Sequence, residues 1–160
     1  MKDIKSFLKS FGYAFKGLGW MVAHERNFRI HLTFLGFMTY FLTRFDYFVL
    51  SRGEVAIIIL VSALVLASEM INTAIEKTND AATKEYSHAV KIAKDAAAGA
   101  VLVFAASSVL VGIAFLWQPE AFKSLYIHYT DNPLGLVLLV IAVILSIIFI
   151  LKFDFNKKEK

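Results

Sequence analysis

The stretch VAIIILVSALVLASEMINTAI, residues 55–75, decides the fold. Its 21 apolar-dominated residues are long enough to cross a hydrocarbon core of about 30 Å as a helix. Yet its second half carries Glu69 and Asn72, and Glu76 follows at its end. An ionised side chain at the centre of a membrane helix costs about 2.5–3.5 kcal/mol on insertion scales. A chain keeps such a group where it faces protein, water or a ligand, so this helix is the first place to look for function.

The rest of the composition agrees with a membrane-embedded chain. Of 160 residues 58% are hydrophobic, against about 45–50% in soluble domains, and the mean hydropathy is +0.63. Cysteine is absent, which excludes disulfides, thiolate metal sites and cysteine nucleophiles. The first residues, MKDIKSFLKSFGYAF, lack the continuous apolar core and small-residue cleavage site of a signal peptide. No G-x-x-x-x-G-K-[ST] loop is present, Gly17-Leu18-Gly19 lacks the third glycine of a dinucleotide turn, and no protein-kinase signature occurs. The four histidines do not have metal-site spacing, and no nucleic-acid partner is expected.

Working outward, three more apolar runs accompany residues 55–75. The first, about 31–50, is interrupted by Arg44 and Asp46; the third, about 96–117, is rich in Ala, Gly and Ser, which lets helices approach closely in lipid. The fourth, 134–151, follows the breaker Asn132-Pro133. The expected architecture is all-α and integral to the membrane. An N-terminal interfacial helix and three spans occupy 1–117, an extracytoplasmic connection 118–133, an additional span 134–151 and a basic tail 152–160. Fourteen of the seventeen Lys and Arg residues fall in 1–29, 77–94 and 152–160, leaving Arg44, Arg52 and Lys123 elsewhere. The positive-inside rule then puts both termini and the 76–95 segment in the cytoplasm, the compartment that supplies ATP.

Before the first span, Ile4, Phe7, Leu8, Phe11, Phe15 and Leu18 recur at helical spacing, with Lys5, Lys9 and Lys16 off the stripe. Such a helix lies in the membrane interface or packs on the protein; three glycines make it dependent on a surface.

Glu69, Asn72 and Glu76 stand at i, i+3 and i+7, on one helical face. A partly buried carboxylate suits a general base, and a better solvated one suits Mg²⁺, which prefers oxygen ligands. The plainer alternative is that Glu69 and Asn72 only bridge neighbouring helices. Lys91, Lys94 and Asp95 lie where the third span begins, and His24, Glu25, Arg26 and Arg29 precede the first. A boundary lysine is often a membrane anchor; opposite a carboxylate row it can also clamp phosphate oxygens. Three polar clusters at one membrane face indicate phosphoryl transfer or ion handling, and the pattern does not choose between them.

The strings SEMINTAIEKTND (68–80) and EYSHAVKIAKDAAAGAVL (85–102), with FGYAFKGL (11–18) and HERNFRIH (24–31), resemble the small integral-membrane diacylglycerol kinase family of bacteria, which includes undecaprenol kinases. The resemblance spans about residues 5–117. It implies a homotrimer with active sites shared between subunits in the bacterial plasma membrane, transferring the ATP γ-phosphate to a lipid hydroxyl with Mg²⁺. It further implies Glu69 as the base at the lipid hydroxyl and Glu25 and Glu76 as metal ligands. Lys94 would lie on the phosphates, Asp95 and Asn72 in support, and Tyr13, Lys16, Asp80 and Glu85 around the nucleotide. HERNFRIH, and AIEK followed by IAKD, look closer to the undecaprenol branch, with diacylglycerol the alternative substrate.

Three features depart from the family pattern. Ser87 follows Tyr86 where the family commonly has His, Ser6 stands where some members have Arg, and the fourth apolar run is additional. A reading of another class, a non-catalytic membrane adaptor or ion-conducting subunit, accounts for Glu69 and Asn72 but gives no use for a phosphate-binding lysine.

Overall fold

In the computed structural model, which describes residues 2–82 and 87–152, the chain is all-helical, with no strand among the described residues. Six helices follow in order: α1 (Lys2–His24), α2 (Arg26–Arg44), α3 (Arg52–Ala82), α4 (His88–Leu116), α5 (Pro119–Asp131) and α6 (Pro133–Lys152).

Local chemistry explains the breaks. At Glu25 the backbone leaves the helical region (φ −108°, ψ 111°), so α1 and α2 meet at an elbow. Helix α3 opens with a reciprocal capping box: the Ser51 N–H donates to Glu54 Oε2 at 2.6 Å and the Glu54 N–H donates to Ser51 Oγ at 3.2 Å. Hydrogen bonding from the Ser51 hydroxyl and from its backbone N–H holds the Glu54 carboxyl below its usual range. Pro119 and Pro133 occupy first helical positions, where the missing N–H costs nothing. Asn132 caps α6 by accepting the Gly135 N–H at 3.0 Å.

Helices α3, α4 and α6 are long and apolar enough to cross a membrane. Helix α3 measures about 46 Å at 1.5 Å per residue, so its last turns extend beyond the apolar stretch 55–75. Helix α2, expected as a span over 31–50, instead runs from 26 to 44 and is not among those three. At 19 residues it has nearly the length to cross, but it carries Arg26, Asn27, Arg29 and His31 in its first turns. Its apolar continuation is not helical, because Phe45 turns extended (φ −129°, ψ 130°) and packs on α5, its ring 4.8 Å from His128. The 118–133 connection is itself mostly helical, as α5.

Helices α3 and α4 share the most extensive packing; α2 lies against α3, and α6 against α2. The core is small: Met21, Phe28, Phe45, Ile58, Val61, Val65 and Ala121 are the buried apolar residues among those described. Helix α4 has no fully buried residue although it is apolar all round, which leaves its outer surface to lipid or other chains. The α1 stripe is likewise exposed, with Phe7 at 63% and Phe15 at 69%.

Contacts fix which helix ends lie together. Arg29 reaches the last turns of α6, His31 reaches Glu69, and Lys94 reaches Asp80. At the opposite end Gln118 clasps Val49, accepting its N–H at 3.0 Å and donating to its carbonyl at 3.1 Å. Phe45, Tyr47, His128 and Tyr129 form an aromatic cluster there, the kind of amphipathic ring set that favours a membrane interface.

Candidate functional site

Glu69, Asn72, Glu76 and Asp80 follow one another along one face of α3, at offsets of three, seven and eleven residues. They span about 16 Å of helix, from a buried end to an exposed one. The residues packed against each step differ, and with them the chemistry.

Glu69 is 4% exposed. Its Oε1 lies 3.4 Å from Nε2 of His31, one turn and a half into α2. A carboxylate so enclosed must be paired or hydrogen-bonded to persist, and His31 supplies that partner. An apolar cavity of about 240 Å³ opens between α2, α3 and α4, lined by His31 together with Leu35, Val65, Leu66, Ser108 and Val111 among others. The partner of the buried acid, His31, therefore lines a space suited to hydrocarbon.

One turn on, Asn72 Nδ2 donates to Glu76 Oε1 at 3.1 Å. Asn72 Oδ1 is buried and accepts no hydrogen bond, so an oxygen donor is held in place beside a carboxylate. Mg²⁺ is usually bound by one or two carboxylates together with substrate phosphates and water, and this pair fits that demand. No group of three or more His, Cys, Asp or Glu forms a metal cage among the described residues.

At the exposed end Lys94 Nζ donates to Asp80 Oδ1 at 2.5 Å, joining α4 to α3. That bond, above all, pulls the Asp80 carboxyl below its ordinary range. Lys94 thus occupies the same row as the acids, held by one of them. Asp95 is exposed beside it.

Helix α1 contributes a second wall. Trp20 stacks on His24 with centroids 4.6 Å apart, and Lys77 Nζ lies 5.5 Å from the Trp20 ring, tying the end of α1 to α3. A cavity of about 290 Å³ lies between these helices, lined by Gly17, Trp20, Met70, Thr73 and Lys77.

Of the residues singled out from sequence, Glu69, Asn72, Glu76, Asp80 and Lys94 fall along one connected row. Glu25 is half-buried at the α1–α2 elbow. Tyr13 and Lys16 are exposed on α1, with Lys16 Nζ 6.0 Å from the Tyr13 ring, and among the described residues no hydrogen bond or ion pair joins them to the row. Glu85 lies outside the described residues. Sequence reasoning assigned no role to His31, because its relation to Glu69 exists only once α2 packs on α3.

These features define an all-helical integral membrane protein with its polar chemistry gathered at one end of the bundle, against an apolar cavity. Residues 12–116 match the prokaryotic diacylglycerol kinase family, and the chain belongs to that family. It is 42% identical over 115 residues to a diacylglycerol kinase of Synechocystis sp., covering 71% of this chain and 64% of the relative. It is 37% identical over 117 residues to the undecaprenol kinase of Bacillus subtilis, covering 69% of this chain and 88% of the relative. The matched region thus spans under two thirds of the Synechocystis protein and most of the Bacillus one. No solved structure matches the chain. The family is one of phosphotransferases that act on an alcohol group of a lipid, and ATP is the co-substrate such a kinase implies.

Proposed function

We propose that this chain is an ATP- and Mg²⁺-dependent lipid kinase that phosphorylates undecaprenol, working as a homotrimer in the bacterial plasma membrane with both termini in the cytoplasm. The observation that carries this reading is Glu69: a buried carboxylate beside His31, which itself lines an apolar cavity, and on the same helical face as Asn72 and Glu76. A lipid tail in the membrane brings its terminal hydroxyl to that depth. Glu69 takes the hydroxyl proton as the oxygen bonds to the γ-phosphorus, and the bond from that phosphorus to the bridging oxygen of ADP breaks. General-base assistance of this kind contributes about 10²–10⁴-fold.

The chain's other residues bind and orient. Lys94 leaves Asp80 for the phosphate oxygens, and Asp95 and Asn72 support the site. Glu76 and Glu25 hold Mg²⁺, which when bound offsets charge on the phosphates. Tyr13, Lys16, Asp80 and Glu85 surround the nucleotide. The preference for undecaprenol rests on the motifs HERNFRIH and IAKD. Diacylglycerol is the second reading, favoured by the 42% identity to the Synechocystis diacylglycerol kinase.

The test supplies purified protein with ATP, Mg²⁺ and each lipid separately, then in competition. Undecaprenyl phosphate as the main product is expected. Phosphatidic acid as the main product reassigns the substrate, and no phosphorylated lipid from either overturns the kinase reading.

A further inference from the structure

Arg29 is the one large side chain fully buried among the described residues, at 0% exposure. Its guanidinium is committed to helix ends. Nη1 donates to the carbonyls of Val22 at 3.2 Å and Ala23 at 3.4 Å, and Nε and Nη2 donate to the Ile150 carbonyl at 3.3 and 3.0 Å.

The acceptors explain the geometry. Because α1 breaks at Glu25, the carbonyls of Val22 and Ala23 lose the N–H donors that a continuous helix would give them. Ile150 lies in the last turn of α6, where carbonyls are orphaned in the same way. Both sites are helix C-termini, carrying partial negative charge that favours a cation. A planar guanidinium with five N–H groups can serve both at once, whereas an ammonium presents a single point of charge. The elbow backbone closes the arrangement: the Glu25 N–H donates to Met21 O at 2.9 Å and the Arg29 N–H donates to Glu25 O at 3.2 Å. Glu25 is therefore fixed between two turns that Arg29 ties together.

We propose that Arg29 is a positioning residue that couples the additional helix α6 to the α1–α2 elbow, so that α6 sets the placement of Glu25 and is an integral part of the kinase site. The role given to Glu25 rests on the kinase reading above, whereas the mechanical link from α6 to the elbow does not. Nothing in the apolar sequence of α6 supplies chemistry. Its contribution is a carbonyl acceptor at the right end of the bundle.

The full-length chain tests both parts, and its lack of native cysteine allows labels at chosen positions. With labelled chains diluted in an excess of unlabelled ones, spin labels at Leu18→Cys and Leu151→Cys, both exposed positions, should give one narrow distance distribution. Arg29→Gln should broaden it at least twofold, and Arg29→Lys should fall between. In turnover, Arg29→Gln should raise the KM for MgATP at least fivefold while kcat changes less than twofold. Fraying the end of α6 with Ile148→Gly and Leu151→Gly should do the same, and joining it to Arg29→Gln should add nothing further. An unchanged distance distribution in Arg29→Gln, a wild-type KM in the frayed variant, or multiplicative effects would overturn the coupling. If Arg29→Gln does not assemble, Arg29→Lys decides the matter by both readouts and the frayed variant by the KM for MgATP. A chain that phosphorylates no lipid overturns the kinase reading alone, and the distance measurement still decides the link.

Discussion

His31 Nε2 and Glu69 Oε1 lie 3.4 Å apart across the α2–α3 contact, and this pair holds a buried carboxylate at the edge of an apolar cavity. Its removal is the first prediction. His31→Leu takes the partner from Glu69 and leaves a buried acid to bear its desolvation, a cost of about 1–3 kcal/mol. Thermal unfolding of the solubilised protein should show that loss, and phosphoryl transfer should fall with it. His31→Gln, which keeps an N–H donor, should recover part of both; equal loss in the two variants would argue against a hydrogen-bonding role.

Asn72→Ala separates metal binding from stability. Asn72→Ala gives up one hydrogen bond, from Nδ2 to Glu76, but also removes the buried Oδ1 that has no partner, so the net loss of stability should stay below about 1 kcal/mol. The Mg²⁺ concentration for half-maximal activity should rise several-fold. A large loss of stability with an unchanged Mg²⁺ requirement would make Asn72 a bridge between helices instead.

Asp80 and Lys94 predict a pH response. The Asp80 carboxyl is held below its ordinary value, chiefly by the Lys94 hydrogen bond. A group depressed in the folded state contributes stability above its unfolded pKa, about 3.9 for Asp, and loses it as pH falls through the folded value. Melting curves of wild type and Asp80→Asn should therefore run parallel from pH 8 to about pH 5 and converge below about pH 4. The pair is exposed, so added salt should narrow the gap. A difference that grows as the pH falls would contradict the assignment.

Gln118 provides a contrast far from the site. It bonds to both backbone groups of Val49 and donates to Phe115 O at 2.9 Å. Gln118→Ala should cost about 1–3 kcal/mol of stability, because three bonds at the other end of the bundle are lost, and should leave KM for ATP unchanged. A selective change in KM would mean the two ends are coupled.

Much of this was legible in the chain. Residues 55–75 read as a membrane-crossing helix by length and hydropathy alone, and the spacing of Glu69, Asn72 and Glu76 puts them on one face. The ends were harder to read. The run through Tyr47 to Leu50 is apolar enough to continue α2, but Phe45 turns out of the helix to pack on α5, a tertiary contact with no local signal. Helix α5 did have a signal, Gln118-Pro119-Glu120 at a helix start, obscured by its short amphipathic pattern. Arg29 read as one member of a basic cluster; its burial against Ile150, 121 residues away, depends on where α6 ends. His31 was hidden because its relation to Glu69 exists only once α2 packs on α3.

The most direct test is Glu69→Gln in a phosphate-transfer assay with undecaprenol, ATP and Mg²⁺, run alongside a check that the assembly forms as in wild type. The change keeps the shape of the side chain and removes its capacity to accept the hydroxyl proton. An intact assembly whose kcat has fallen by about 10²–10⁴-fold is the expected result. An intact Glu69→Gln protein with near wild-type turnover would contradict it.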